Sequence, residues 1–578
     1  MLLLDTGAAR QGRMGRKKTS AQPLTREVRA QAAAHGTIER NLESPSLTLL
    51  VLLAALGVLL YAGFLLNPAN AGDPLPYFMV VACESFVMFQ VLLSLWTALS
   101  AAQNPRGYVF HESQRQLFYP TSQDLDDHLM RPTEWMQIGG QRLLVDVYIP
   151  TYGEAPDVVE RTARAARDMR GFHSTYILDD GHSPEIAAVA AHLGVGYLQR
   201  VDNAGAKAGN INNALKSTTG DFFVVLDADF IPAADFLVET MPFFGEKTVA
   251  FVQTPQVYGN ISNFISRGAG YMQTVFYSLT QPGKNRFNSA FCVGTNVVFR
   301  KHAVLSIGGL YEKSKSEDIW TSLILHGQGW KSVYIPTVLA VGDTPETIES
   351  YTKQQQRWAT GAFEILFRRN PLLDRTLSID QRLQYFGTAT FYCSGLITFC
   401  LLLLPPLQIY LGLTPVNQHT PFLQWLLFYC GLYVMQIIMA VYTIGSFRWQ
   451  TLLLSTASFP IYIRAFANAL RRKDTAWHVT GRVGKRNSPF LFILPQLLTF
   501  VFLAATSCVG LWKVEWTGQI SMAVIWNLLN SLVLGTFLGI AIHESFALRR
   551  AHAQREPEPA AEPLEDRPRA KHSGSVPV

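Results

Sequence analysis

Residues 222–229 read Phe222-Phe223-Val224-Val225-Leu226-Asp227-Ala228-Asp229. The apolar run reads as a short buried strand, and the two carboxylates fall where it ends. Working outward, 143–149, 175–178, 196–198 and 248–252 read as further strands. Helical patterns at 156–168, 184–193 and 206–216 lie between them. That alternation implies a mostly parallel α/β sheet. Such sheets bind ligands beyond the carboxyl ends of their strands. The polar clusters fall there: Pro150-Thr151-Tyr152-Gly153-Glu154 after the first strand, Asp179-Asp180-Gly181 after the second and Asp227-Ala228-Asp229 after the fourth.

The sheet is one part of a longer chain. Of its 578 residues, 48% are apolar and only 16% charged. Soluble domains run nearer a quarter charged, so neither a fully soluble nor a disordered protein fits. The net charge of +6 is small for this length, and no aromatic-basic box or recognition-helix pattern calls for nucleic acid. Six cysteines, none in a C-x-x-C pair, support neither a disulfide framework nor a zinc site. Apolar runs of spanning length occur at 46–66, 77–100, 386–412, 422–446, 489–512 and 521–543. The first starts too late to read as a signal peptide. A weaker run at 451–470 contains Pro460 and Arg464 and reads as an interfacial helix. Arginine and lysine crowd the first 40 residues and follow the last span, whereas 67–76 and 413–421 hold none. This bias puts both termini and the region between the second and third spans in the cytosol. The expected location is therefore the plasma or inner membrane, crossed several times.

Each polar cluster has a bland and a functional reading. Asp227 and Asp229 can be a solvated turn, or can share a hard divalent cation bound to a diphosphate. Asp179 can belong to an ordinary turn. Lys207 starts a helix in Ala206-Lys207-Ala208-Gly209-Asn210, where a cation and N-terminal amides together suit phosphate. Ser316-Glu317-Asp318 reads as a cap with acids in the first turn, or as the seat of a general base. Gln354, Arg357 and Trp358 share a helical face by spacing. Arginine there can bind phosphate, and tryptophan can stack on a sugar ring or merely pack toward the membrane.

Taken in order, Asp179, Asp227-Ala228-Asp229, Ser316-Glu317-Asp318 and Gln354…Arg357-Trp358 resemble the D, D-x-D, T/S-E-D, Q-x-x-R-W signature of processive family-2 glycosyltransferases, in particular cellulose synthase catalytic subunits. Lys207-Ala208-Gly209-Asn210, Val252-Gln253-Thr254-Pro255-Gln256 and Phe291-Cys292-Val293-Gly294-Thr295-Asn296 extend the likeness, which spans about 47 to 546. The resemblance implies a GT-A-type (Rossmann-like) α/β cytosolic domain inserted in an α-helical transmembrane bundle. It divides the chain into a basic cytosolic arm (1–45), two spans (46–100), the GT-A domain (101–380), two spans (381–448), an interfacial helix and gating loop (449–488), two spans (489–546) and a disordered cytosolic tail (547–578).

The resemblance also implies roles. Thr151, Tyr152, Glu154 and Asp179 hold uridine, Lys207 contacts the diphosphate, and Asp227 and Asp229 hold donor and Mg²⁺, with Mn²⁺ as the alternative. Asp318 is the base, Gln354 and Arg357 grip the diphosphate, Trp358 floors the acceptor site and Cys292 lies near the acceptor's end. Trp477, Val479, Thr480 and Arg482 match a gating loop of pattern F-x-V-T-x-K, with Trp for Phe and Arg for Lys. The implied reaction is inverting polymerisation of glucose from UDP-glucose into a β-glucan, β-1,4 (cellulose) ahead of β-1,3 or mixed linkage. A non-processive transferase acting on a lipid phosphate is the alternative. The expected partners are the UDP-sugar donor, the growing polysaccharide and the lipid bilayer, with an accessory export subunit or a homo-oligomer compatible with them. No R-x-x-x-R motif precedes a strand-rich segment, so cyclic di-GMP control through this chain is not expected. Glu84 inside the second span either reaches the outer surface or lines a polymer exit.

Overall fold

The computed structural model describes residues 44–118, 135–417, 419–472 and 488–553. A seven-stranded sheet forms the centre of the extramembrane part. Its strands are β1 (Val145–Thr151), β2 (Ser174–Asp179), β3 (Gly196–Leu198), β4 (Phe222–Val225), β5 (Val249–Gln253), β6 (Val297–Arg300) and β7 (Lys331–Tyr334). The spatial order is β7-β5-β6-β4-β1-β2-β3. Alternate side chains serve the two faces. Val145, Val147 and Ile149 join one hydrophobic cluster with Val224 and Leu226, whereas Tyr148 joins the other with Phe223 and Val225.

The sheet is mostly parallel, as expected, with four of its six strand pairings parallel; the exception is one inserted strand. β6 runs antiparallel to both β4 and β5, which it separates. Neither β6 nor β7 was foreseen, because each shows only four residues of ordinary pattern. The first five strands lie within two residues of their expected positions. The chain order reverses at β1, which pairs in parallel with β2 on one side and β4 on the other. Crevices open at such points, so the loops after β1, β2 and β4 converge on one site.

Local chemistry sets the helix ends. Pro184–Leu193 starts at Ser183, whose hydroxyl accepts from the Ile186 amide, and stops at Gly194 with φ +67°. Ile348–Arg368 and Ile379–Thr390 both begin with capping boxes, Thr347 with Ser350 and Ser378 with Gln381.

Among the described residues, six helices are long and apolar enough to cross a membrane: Pro45–Leu65, Pro74–Leu99, Ile379–Leu411, Leu423–Thr443, Leu494–Thr517 and Met522–Ala547. The third is broken at Phe391–Cys393, a short 3₁₀ turn. The 451–470 run forms two shorter helices, Trp449–Ala457 and Phe459–Leu470, with Pro460 in the first turn of the second. The last helix continues to Ala553, beyond residue 547 where a disordered tail was expected to begin. The two loops without Lys or Arg meet, with the Asp73 amide donating to Thr414 O at 2.8 Å. Pro45–Leu65 approaches Phe422–Ile444 so closely that a side chain on Gly57 would overlap the Gly431 carbonyl. Glu84 does not reach the outer surface. It is 3% exposed, and both its oxygens accept from the Tyr433 hydroxyl at 2.8 Å.

Candidate active site

After β1, Thr151 is buried and donates from Oγ1 to Asp179 Oδ1 at 3.3 Å. Tyr152 stays exposed, and its amide donates to Glu154 Oε2 at 2.5 Å. Burial pushes the Glu154 carboxyl up against that hydrogen bond, and Asp227 and Asp179 push the same way. Asp179 closes β2. Its Oδ1 also accepts from the Gly181 amide, and its Oδ2 accepts from the Ser183 amide and the Tyr197 hydroxyl, all at 2.8 Å. A carboxylate has about four acceptor sites, and these bonds take them. Asp179 therefore shapes the 179–183 loop, leaving little capacity for direct contact with a base.

Asp180 is bound from the other side. Arg200 donates from Nε to Oδ1 at 2.7 Å and from Nη2 to Oδ2 at 2.6 Å, and both side chains are buried. The same guanidinium donates to the carbonyls of Ala204 and Ala206 at 2.5 and 2.9 Å. It thereby pins the turn into the helix Ala206–Ser217, where Gly205 and Ala206 have φ +69° and +47°. Sequence reading missed Arg200, because a bidentate pair across 20 residues leaves no motif.

Lys207, in the first turn of that helix, pairs with Asp227 Oδ1 and donates to Gly294 O at 2.7 Å. Burial pulls its ammonium down, but Asp227, Glu317 and Asp318 outweigh burial and hold it above the usual lysine value. Gly294, with φ +85°, marks where these groups meet. A Cβ there would lie 3.4 Å from Asp318 Oδ2, 3.7 Å from Lys207 Nζ and 3.8 Å from Glu317 Oε1.

Asp229 is pushed up to about 7, first by burial, then by Asp227, Asp343 and Glu154. Asp343 is a second residue missed in the sequence. It follows the short strand Ala340–Gly342, which pairs with Ile231–Pro232 just after Asp229. Four carboxylates thus face one region, in which Lys207 is paired to Asp227. Among the described residues no three His, Cys, Asp or Glu side chains are grouped to hold a metal by themselves. Such a donor set suits a hard cation that draws its remaining oxygens from a bound diphosphate.

Asp318 stands in the first turn of Glu317–Gly327. Burial pushes it up, to about 7, and the Glu317 charge adds to that. The Ile319 amide donates to its Oδ1 at 2.8 Å. Ser316 occupies the N-cap without a side-chain bond to the helix. Ser322 donates from Oγ to Asp318 O at 2.9 Å and accepts from the Cys292 amide at 2.8 Å. Cys292 is 2% exposed, and its Sγ accepts from the Gly294 amide at 3.3 Å. Its thiol braces the wall behind Gly294, in the same small cavity as Lys207, Glu317 and Asp318.

Gln354, Arg357 and Trp358 lie on a half-exposed face of Ile348–Arg368, whereas Gln355 and Ala359 turn inward. Arg357 lies near enough to Glu317 and Asp318 to lower both carboxyls against burial. A methyl group on Gly361 would overlap Ser316 Oγ, and Ser314 donates from Oγ to Glu364 Oε2 at 2.6 Å. This glycine lets the helix touch the loop that carries Asp318. Trp477, Val479, Thr480 and Arg482 lie outside the described residues.

Residues 222–444 match the family model for glycosyl transferase family group 2. Over 260 residues, 43% of this chain and 36% of the relative, the sequence is 35% identical to a cellulose synthase catalytic subunit [UDP-forming] of Xanthomonas axonopodis pv. citri. Identity is again 35% to cellulose synthase 1 catalytic subunit [UDP-forming] of Komagataeibacter xylinus, over 45% of this chain and 35% of the relative. Cellulose synthase 2 of Novacetimonas hansenii matches at 29% over 71% of this chain and 26% of its own length. The matches thus span about a third of these relatives or less. Among solved structures, a mannosyltransferase from Pyrobaculum calidifontis in complex with GDP-Man and Mn²⁺ covers 69% of this chain at 15% identity and a TM-score of 0.45. Residues 222–444 thus match a family 2 glycosyltransferase model, and close to half of the chain is similar to the catalytic subunits of cellulose synthases.

Proposed function

We propose that this protein is a membrane-embedded inverting glycosyltransferase that polymerises glucose from UDP-glucose into a β-glucan, β-1,4-linked, and passes it across the membrane. The carrying observation is the meeting of Asp318, Glu317 and Lys207 around Gly294, beside the Gln354–Arg357–Trp358 face. A raised carboxyl, a buried ammonium and a guanidinium are the parts needed to deprotonate an acceptor and hold a diphosphate.

Thr151, Tyr152 and Glu154 form one wall of the nucleotide pocket, and Asp179 shapes the loop opposite. Asp227 and Asp229 would hold a divalent cation, Mg²⁺ or Mn²⁺, whose charge neutralises the departing diphosphate. Lys207 and Arg357 add fixed positive charge on that side, and Gln354 orients the phosphates by hydrogen bonding. Asp318 takes the proton from the terminal hydroxyl of the acceptor. The freed oxygen attacks the anomeric carbon from the face opposite UDP, so the configuration inverts. One base suffices, because the leaving diphosphate is stabilised by charge and needs no proton. Trp358 gives the acceptor ring a flat apolar floor. The spans continue directly from this site, since Ile379–Leu411 follows the Trp358 helix. Pairing of the loops free of Lys and Arg supports a cytosolic catalytic domain with both termini on the same side.

Incubating purified protein with labelled UDP-glucose and Mg²⁺ tests the reading. Insoluble product sensitive to a β-1,4-specific glucanase is expected. Product cut only by a β-1,3-specific enzyme would refute the linkage, and absence of transfer would refute the activity.

A further inference from the structure

The Gln354–Arg357–Trp358 face belongs to a helix whose opposite side is bonded to the membrane part. Gln355, buried, accepts from the Tyr462 hydroxyl at 3.0 Å. One turn earlier, the hydroxyls of Tyr351 and Ser458 are 3.0 Å apart. Ser458 Oγ also bonds Leu454 O at 2.7 Å, which ties the pair to the preceding helix. Phe363 and Phe367 meet Phe466 edge-on at 5.2 and 5.3 Å further along. The contacts 351 to 458, 355 to 462 and 363 to 466 advance together, so Ile348–Arg368 and Phe459–Leu470 run parallel. Tyr462 also contacts a third element. Its ring meets Tyr392 edge-on at 5.0 Å, and a Cβ on Gly395 would lie 2.5 Å from the Tyr462 Cβ. Gly395 opens the helix Ser394–Leu411, which continues into the membrane.

We infer that Tyr462 is a positioning residue: through Gln355 it aligns the Gln354–Arg357–Trp358 face with the interfacial helix and with the start of the Ser394–Leu411 span. Tyr462 touches neither donor nor acceptor. It acts through the helix, whose inward side its hydroxyl meets at Gln355 and Tyr351, while its ring rests on Tyr392. Tyr392 lies between this junction and the base, near enough to Asp318 to feel its charge. Chain growth and the membrane path thus share one rigid corner. The inference rests on the transferase reading above.

Tyr462→Phe removes only the hydroxyl and keeps the ring against Tyr392 and Gly395. Gln355→Met removes the acceptor at similar length. Both changes delete the Tyr462–Gln355 bond, and Tyr462→Phe also takes the hydroxyl away from Tyr351 and Ser458, so each should lower kcat for glucose transfer by about three- to tenfold, Tyr462→Phe the more. KM for UDP-glucose should move less than about twofold, because orientation is lost and not charge. The double variant should be no worse than Tyr462→Phe alone, as expected when Gln355 acts only through that hydroxyl. Amides of 351–359 should exchange hydrogen faster in both variants, read by mass spectrometry on the full chain in nanodiscs. Additive losses, or an unchanged kcat, would overturn the coupling. If wild-type protein transfers no glucose, the transferase reading fails, and hydrogen exchange still decides the junction: unchanged rates at 351–359 would overturn it.

Discussion

Replacing Glu317 by Gln separates the two acids of the Ser316-Glu317-Asp318 turn. Asp318 is held up by burial first and by the Glu317 charge second. Asp318 Oδ2 and Glu317 Oε1 lie 3.4 and 3.8 Å from one Cβ position on Gly294. They are therefore no more than about 7 Å apart, where two unit charges repel by roughly 2 kcal/mol at an effective dielectric constant near 20. That is about 1.5 pH units at 1.36 kcal/mol per unit. Burial raises Glu317 as well, and two interacting acids share their titration, which spreads the repulsion over both. A downward shift of about one unit is the expected result. A base works when ionised, so transfer in the wild type should rise with pH through about 7. In Glu317→Gln that limb should lie about one unit lower, making the variant relatively more active in acid. The assay is kcat for labelled glucose transfer across the pH range, at saturating UDP-glucose and metal. An acid limb that stays in place would refute the electrostatic link, and one that moves upward would refute its sign.

Asp318→Asn should lower transfer by roughly 10²–10⁴-fold while UDP binding by calorimetry stays close to wild type. The same change should stabilise the fold, and more at pH 8 than at pH 5. The folded carboxyl is raised to about 7, so the stability its protonated form contributes is full only below the unfolded value and is lost as pH rises through 7; melting curves at both pH values check this. Asp229→Asn should weaken Mg²⁺- or Mn²⁺-dependent UDP binding, and unchanged affinity in saturating metal would remove Asp229 from the metal site. Arg200→Lys keeps a charge but loses the bidentate fork. It should cost about 2–3 kcal/mol of stability and loosen the turn that presents Lys207, seen as a higher KM for UDP-glucose.

Some of the site was legible because its chemistry sits in short segments. Asp227 and Asp229 end a strand, Lys207 opens a helix, and Gln354, Arg357 and Trp358 follow helical spacing. The site residues that were missed act across distance. Arg200 reaches Asp180 over 20 residues, and Asp343 bears on Asp229 across the pairing of strands two and three residues long, which carry no pattern of their own. Asp179 and Cys292 were legible as positions, but their surroundings were not. Which atoms of Asp179 are already bonded, and how deeply Cys292 is covered, depend on neighbours brought together by folding.

The sequence by itself determined the layers: six apolar runs long enough to span, an α/β region between the second and third, and polar clusters at strand ends. These follow from periodicity and length, which are local properties of the chain. Only the tertiary structure decided that β6 inserts antiparallel between β4 and β5, that Glu84 turns inward to Tyr433, and that Gly361 brings the Trp358 helix against the loop of Asp318. Each of these depends on pairing or close approach between segments far apart in sequence. Such contacts are chosen by the shape and burial of the whole fold, and no short window of residues carries them.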